Sequence, residues 1–157
     1  MKYFFDTSAI VKLFQEEAGS NIVEDIVNDQ NNELWLLDLS KIEFYSCIFR
    51  RYRQQEITAN ELNIVINAFD EQLSSFKMEF LGPSILYEAE QLMLAYGKVH
   101  GLRALDSLQL GACKLIYEPG LTFLCADQRL CAISVSCNIE CINPVASSYG
   151  LSVSNRK

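Results

Sequence analysis

The chain has 157 residues, 50% of them hydrophobic and 21% charged, and a formal net charge of −7; this size and balance predict one globular domain whose core needs no disulfide framework or structural metal. The acidic surplus argues against stand-alone nucleic-acid binding through a basic surface, while leaving room for an enzyme that meets phosphate through metal ions or for a basic partner protein. No apolar run approaches the roughly 20 residues of a membrane span, and Asp6 interrupts "MKYFFD" before a signal-peptide core can form, so no membrane association and a cytoplasmic location are expected.

Lys2–Phe5 reads as a first strand and Ser8–Phe14 as a helix. Asn21–Asn28 is a second helix capped by Ser20, with Ile22, Val23, Ile26 and Val27 on one face. "ELWLLD" (33–38) is an unbroken apolar strand, followed by a helix over Lys41–Gln54 capped by Ser40. Ala59–Leu73 is a further helix, opened by a capping box between Thr58 and Glu61. Phe76–Leu81 is a strand that ends at "GP", and Ile85–Val99 is a helix capped by Ser84. Arg103–Ile116 is a helix after Gly101, "LTFLCA" (121–126) a strand, and a short helix starts at Gln128. "IECIN" (139–143) is the last strand. Strands that alternate with helices and read as continuous apolar runs imply a parallel sheet covered on both faces. Residues 1–145 form the domain, and 146–157 a short C-terminal tail.

In such a sheet the functional crevice lies beyond the carboxyl ends of the strands, where strand order reverses. Asp6 and Asp127 follow two strands at that edge, and Glu43 and Asp106 sit among apolar residues in two helices. Each acid also has a purely structural reading. Asp6 and Asp127 can cap the helices that follow them, Glu43 can complete a capping box with Ser40, and Asp106 can pair with Arg103 on one helix face. Four carboxylates near one another would raise each other's pKa unless a cation intervened, and an all-oxygen set suits Mg²⁺ or Mn²⁺. Cys47, Cys113, Cys125, Cys131, Cys137 and Cys141 contain no C-x-x-C pair and read as buried structural thiols.

The stretches "YFFDTSAIVKLF", "LSKIEFYS", "GLRALDSLQLGAC" and "TFLCADQRL" resemble, in their order and spacing, the signature segments of PIN-domain ribonucleases. The likeness is strongest to the VapC-type toxins of bacterial toxin–antitoxin pairs. It implies a three-layer α/β/α PIN-like fold with a five-stranded, mostly parallel sheet. It also implies Mg²⁺-dependent hydrolysis of RNA phosphodiester bonds, with Asp6, Glu43, Asp106 and Asp127 as catalytic and metal-ligating acids and Ser8 as a supporting hydroxyl. A cognate antitoxin and a homodimer are the partners it implies. Two positions depart from the common pattern: Gln109 stands where many relatives have His, and Cys125 where many have Thr or Ser. Arg103, Lys12 and the run Arg50, Arg51 and Arg53 are candidates for RNA contact, the run having the alternative reading of a solvated helix end. His100 reads as a surface or loop residue. A receiver-like signalling module shares the sheet with strand-end acids, but here no acceptor Asp is matched by a strand-end Lys. A catalytically silent PIN fold used for protein binding is the other alternative.

Overall fold

Tyr3, Phe4 and Phe5 point alternately to the two sides of an extended segment, and this alternation fixes the middle of the molecule. In the computed structural model, which describes residues 1–146, the segment is strand β1 (Lys2–Phe5). It is flanked by β2 (Glu33–Leu37) and β4 (Leu121–Leu124), with β3 (Lys77–Glu79) and β5 (Glu140–Ile142) at the edges. The order is β3-β2-β1-β4-β5 and every pairing is parallel.

Tyr3, Phe5, Leu34, Leu36 and Leu124 pack on one face, and Phe4, Leu37, Leu121 and Phe123 on the other. The first face is covered by α1 (Thr7–Ile10), α2 (Ser20–Asn28), α3 (Leu39–Arg53) and α4 (Ala59–Gln72). Its centre is aromatic: Phe44 stacks on Phe69 with ring centroids 3.7 Å apart, and Phe14 meets both edge-on. The second face is covered by α5 (Pro83–Leu92), α7 (Ala104–Leu115) and α8 (Gln128–Ser136). The expected three-layer architecture is therefore present. The chain moves outward from β1 to β3 and then crosses to β4 on the other side of β1. Strand order reverses at β1, and the crevice beyond its carboxyl end is the expected functional edge.

Several helix starts differ from the sequence reading. The Thr58–Glu61 capping box is present. Ser20, Ser40 and Ser84 instead lie inside their helices, whose N-caps are Gly19, Asp38 and Gly82. Gly19 holds φ +87°, and a Cβ there would meet the Pro144 carbonyl oxygen at 2.4 Å, so tertiary contact demands glycine where the local code favoured serine. Ser20 turns back, donating to the Gln15 carbonyl at 2.7 Å. The segment expected as one helix over 85–99 passes from α5 through a π-helical turn at Met93–Gly97 into α6 (Lys98–His100), which ends at left-handed Gly101. The helix after Asp6 begins at Thr7 and tightens into a 3-10 turn at Val11–Phe14. β4 ends two residues sooner than expected, at Leu124. Cys113, Cys125, Cys131 and Cys141 are buried free thiols, as expected, and Cys47 and Cys137 are half-buried. No helix among the described residues is long and apolar enough to cross a membrane. The expected tail lies, beyond residue 146, outside the described residues.

α5 and α7 approach closely at Gly111, where a Cβ would lie 3.2 Å from the Ala89 nitrogen and 3.4 Å from the Ile85 carbonyl oxygen. Backbone cannot yield as a flexible side chain does, so Gly111→Val should cost about 1–3 kcal/mol in urea unfolding. Gly82→Ala meets only an ordinary 3.7 Å contact and should stay within about 0.5 kcal/mol. Equal stability of Gly111→Val and wild type would show that the two helices can separate without loss.

Candidate active site

Asp6 is the first residue beyond β1, and its amide still follows the ladder, donating to the Leu124 carbonyl at 2.9 Å. Its side chain turns into the crevice and caps α1: Oδ2 accepts from the Ser8 amide at 2.9 Å and from the Ser8 hydroxyl. Ser8 Oγ accepts in turn from the Ala126 amide at 3.0 Å, tying the end of β1 to the segment after β4. Cys125 joins the same two ends more weakly. Its thiol donates to Asp6 Oδ2 at 3.6 Å and accepts from the Asp127 amide at 3.3 Å.

Asp6 is 7% exposed and has no cationic partner among the described residues. Burial pushes its pKa up to about 6; the Ser8 hydrogen bonds oppose this, and the charges of Glu43 and Asp106 add to it.

Glu43 does not close a capping box with Ser40. It reaches from α3 into the crevice, where Oε2 accepts from Thr7 Oγ1 at 2.5 Å and from Gln109 Nε2 at 2.6 Å. Gln109 Nε2 also lies 3.0 Å from Thr7 Oγ1 and 2.8 Å from Ser40 Oγ. One buried amide from α7 thus joins α1 and α3 through three acceptors. Its own Oε1 is buried and finds no partner among the described residues. In the sequence Gln109 stands out only as a departure and Ser40 only as a helix cap, and Thr7 does not stand out at all. The available signals were a polar residue one helical turn after Asp106 and a hydroxyl beside Asp6.

Asp106 and Asp127 share one cation. Arg103 Nε donates to Asp106 Oδ2 at 2.6 Å, and the same guanidinium donates through Nη2 to Asp127 Oδ2 at 2.7 Å. Asp127 Oδ1 caps α8, accepting from the Arg129 and Leu130 amides at 2.9 and 3.0 Å. Partial burial raises the Asp127 pKa, but the Leu130 amide, the Arg103 charge and the Arg129 amide outweigh it, leaving the carboxyl below the ordinary carboxylate value.

The capping and pairing readings of Asp6, Asp106 and Asp127 are all realised, each through particular oxygens. Asp6 Oδ1, Glu43 Oε1 and Asp106 Oδ1 accept no hydrogen bond from the described residues. The donor chemistry, hard carboxylate oxygens with one left over on each of three acids, fits a divalent cation such as Mg²⁺. Among the described residues no three ligand side chains are gathered into a ready-made cage, so binding such an ion requires the carboxylates to shift toward it.

The other cationic candidates lie apart from this web. Lys12 is buried and paired with Glu17 at 2.8 Å, which takes it out of reach of a nucleic acid in this conformation. Arg50, Arg51 and Arg53 occupy the last turn of α3, roughly 10–15 Å along the axis from Glu43 at about 1.5 Å per residue. Arg51 pairs there with Glu56. His100 is exposed in α6 and touches the Tyr96 ring.

A family model described as the PIN domain matches residues 3–135. The chain belongs to the PIN-domain family. No curated protein matches it. This PIN domain is similar to several solved structures. FitAcB from Neisseria gonorrhoeae is 16% identical with a TM-score of 0.65, over 90% of this chain and 97% of that one. VapBC2 from Rickettsia felis, bound to a DNA fragment from its promoter, is 14% identical with a TM-score of 0.65, over 91% and 98%. A toxin–antitoxin complex from Klebsiella pneumoniae is 15% identical with a TM-score of 0.57, over 83% and 90%. At these identities the likeness establishes the fold. It also removes the receiver-like reading.

The Asp6 shift has a sign that can be measured. Its folded value lies above the ordinary 3.8, so stability from this group is full below about pH 4 and is lost as pH rises through about 6. Asp6→Asn in chelator should therefore exceed wild type in stability by up to about 3 kcal/mol at pH 7–8, with the gain vanishing toward pH 4. A gain that does not change between pH 4 and pH 8 would show that Asp6 is an ordinary helix cap.

Proposed function

We propose that this PIN domain is a divalent-metal-dependent endoribonuclease, the toxin of a toxin–antitoxin pair. The observation that carries the reading is the web itself. Asp6 feels the charges of Glu43 and Asp106, Arg103 joins Asp106 to Asp127, and three of the four acids keep an oxygen that accepts no hydrogen bond from the described residues. Packing alone gives no reason for a buried Asp6 without a cation among the described residues, because such a carboxylate is costly.

Asp6 and Asp106 would hold Mg²⁺ or Mn²⁺, with Glu43 and Asp127 as direct or water-mediated ligands. When bound, the ion supplies a more acidic water and offsets charge on the phosphate. Ser8 and Cys125 fix Asp6 against the Ala126–Asp127 segment. Thr7 and Gln109 fix Glu43, so the carboxylate that would receive or orient a water is held from two sides. Arg103, 57% exposed at the mouth, is the cation best placed to meet an RNA phosphate.

The antitoxin part of the proposal is supported by the similar fold of a structure described as a toxin–antitoxin complex. It is also supported by the acidity of the chain, which a partner segment with a basic end would answer. A homodimer remains part of the proposal. The Arg103 bridge favours a second reading, a PIN fold kept for binding alone, because one protein cation already engages two of the acids.

One assay separates the two. The purified protein should cut RNA with Mg²⁺ or Mn²⁺ and stop in excess chelator. Asp106→Asn should lose about 10²–10³-fold in rate while remaining folded, as expected for metal-derived stabilisation of several kcal/mol. Undiminished cutting in chelator, or an Asp106→Asn protein as active as wild type, contradicts the proposal.

A further inference from the structure

We propose that Arg103 is an internal counter-ion of the metal-free protein, whose guanidinium competes with a divalent cation for the Asp106 and Asp127 carboxylates. The inference rests on the metal reading above and adds a competitor built into the chain.

Three observations lead to it. The first is the geometry of the bridge. One guanidinium bonds two carboxylates from different elements, Asp106 on α7 at 2.6 Å and Asp127 beyond β4 at 2.7 Å. Charge-assisted bonds of this kind are short and strong. The second is exposure. The Arg103 side chain is 57% exposed, against 16% for Asp106 and 27% for Asp127. The cation therefore sits over the acids on the solvent side and can leave without opening the core.

The third is its place on the helix. Arg103 is the residue that precedes α7, makes no side-chain cap and stands at the positive end of the helix dipole. A cation is disfavoured there, so local helix chemistry gives no reason for it. The two carboxylates do. Arg103 thus answers one half of the acidic web with a full charge, while Asp6 and Glu43 are answered by hydroxyl, thiol, amide and backbone donors.

A metal ion that takes its seat on Asp106 and Asp127 must compete with that charge. Its apparent affinity is then reduced by the fraction of protein in which the bridge is closed. Freeing the carboxylates also removes a tie between α7 and the segment after β4, which lets them shift toward an ion.

The test is Mn²⁺ binding to full-length protein, read from the electron paramagnetic resonance signal of free Mn²⁺, with no RNA present. Arg103→Gln should bind Mn²⁺ about tenfold more tightly than wild type, and Arg103→Lys, which keeps the charge but loses the planar fork, should fall between. Arg129→Gln is the control: it removes an equal charge that acts on Asp127 without forming an ion pair with it, and it should change affinity less than about threefold. In parallel, the Arg103 Nε–H resonance should lose its exchange protection as Mg²⁺ is added. Equal Mn²⁺ affinity in wild type and Arg103→Gln, or an equal gain in Arg129→Gln, overturns the internal counter-ion and leaves the metal reading standing. Failure of every protein to bind millimolar Mn²⁺ overturns the metal reading, and the inference with it.

Discussion

Four acids set around the end of β1, one of them buried without a cation among the described residues, are the constraint around which the candidate site is organised. Each acid has a separate answer. Asp6 is buried and held by the Ser8 amide and hydroxyl, Glu43 by Thr7 and Gln109, and Asp106 and Asp127 by Arg103. These answers are unequal. Neutral donors leave Asp6 with a pKa near 6, whereas the Asp127 carboxyl stays below the ordinary value. Burial, more than the charges of Glu43 and Asp106, is what raises Asp6 at the end of the central strand.

The fold makes this arrangement possible. β1 is buried on both faces and paired on both edges, so the residue after Phe5 cannot move away from its neighbours. The first-face helices bring Glu43 and Thr7, and the second-face helix α7 brings Asp106 and Gln109. Gln109 bonds across this division, with a fully buried serine as one of its partners. Through it α7 is tied to Glu43, Thr7 and Ser40.

Much of this was legible in the sequence, for physical reasons that differ by residue. Strands buried on both faces are continuous apolar runs, which is why Lys2–Phe5 and the 33–38 and 121–126 segments stood out. Asp106 stood out because an acid inside an apolar helix needs a reason. The Ser20, Ser40 and Ser84 caps misled because serine signals a cap locally, while Gly19 was required by contact with Pro144, Ser40 was drawn to Gln109, and Pro83 opened α5. The reach of Arg103 to Asp127 was not legible: the two are 24 residues apart, and their meeting depends on α7 lying beside β4. Glu43 was ambiguous for the same reason, since Ser40 and Gln109 compete to explain it and only tertiary structure chooses.

The central claim is that these carboxylates meet over a divalent cation. Crystals grown or soaked with Mn²⁺ test it most directly through anomalous scattering. The account predicts a peak about 2.1 Å from oxygens of both Asp6 and Asp106, with the Arg103 side chain moved off Asp127. Mn²⁺ located elsewhere, with Arg103 still bridging Asp106 and Asp127, would contradict it.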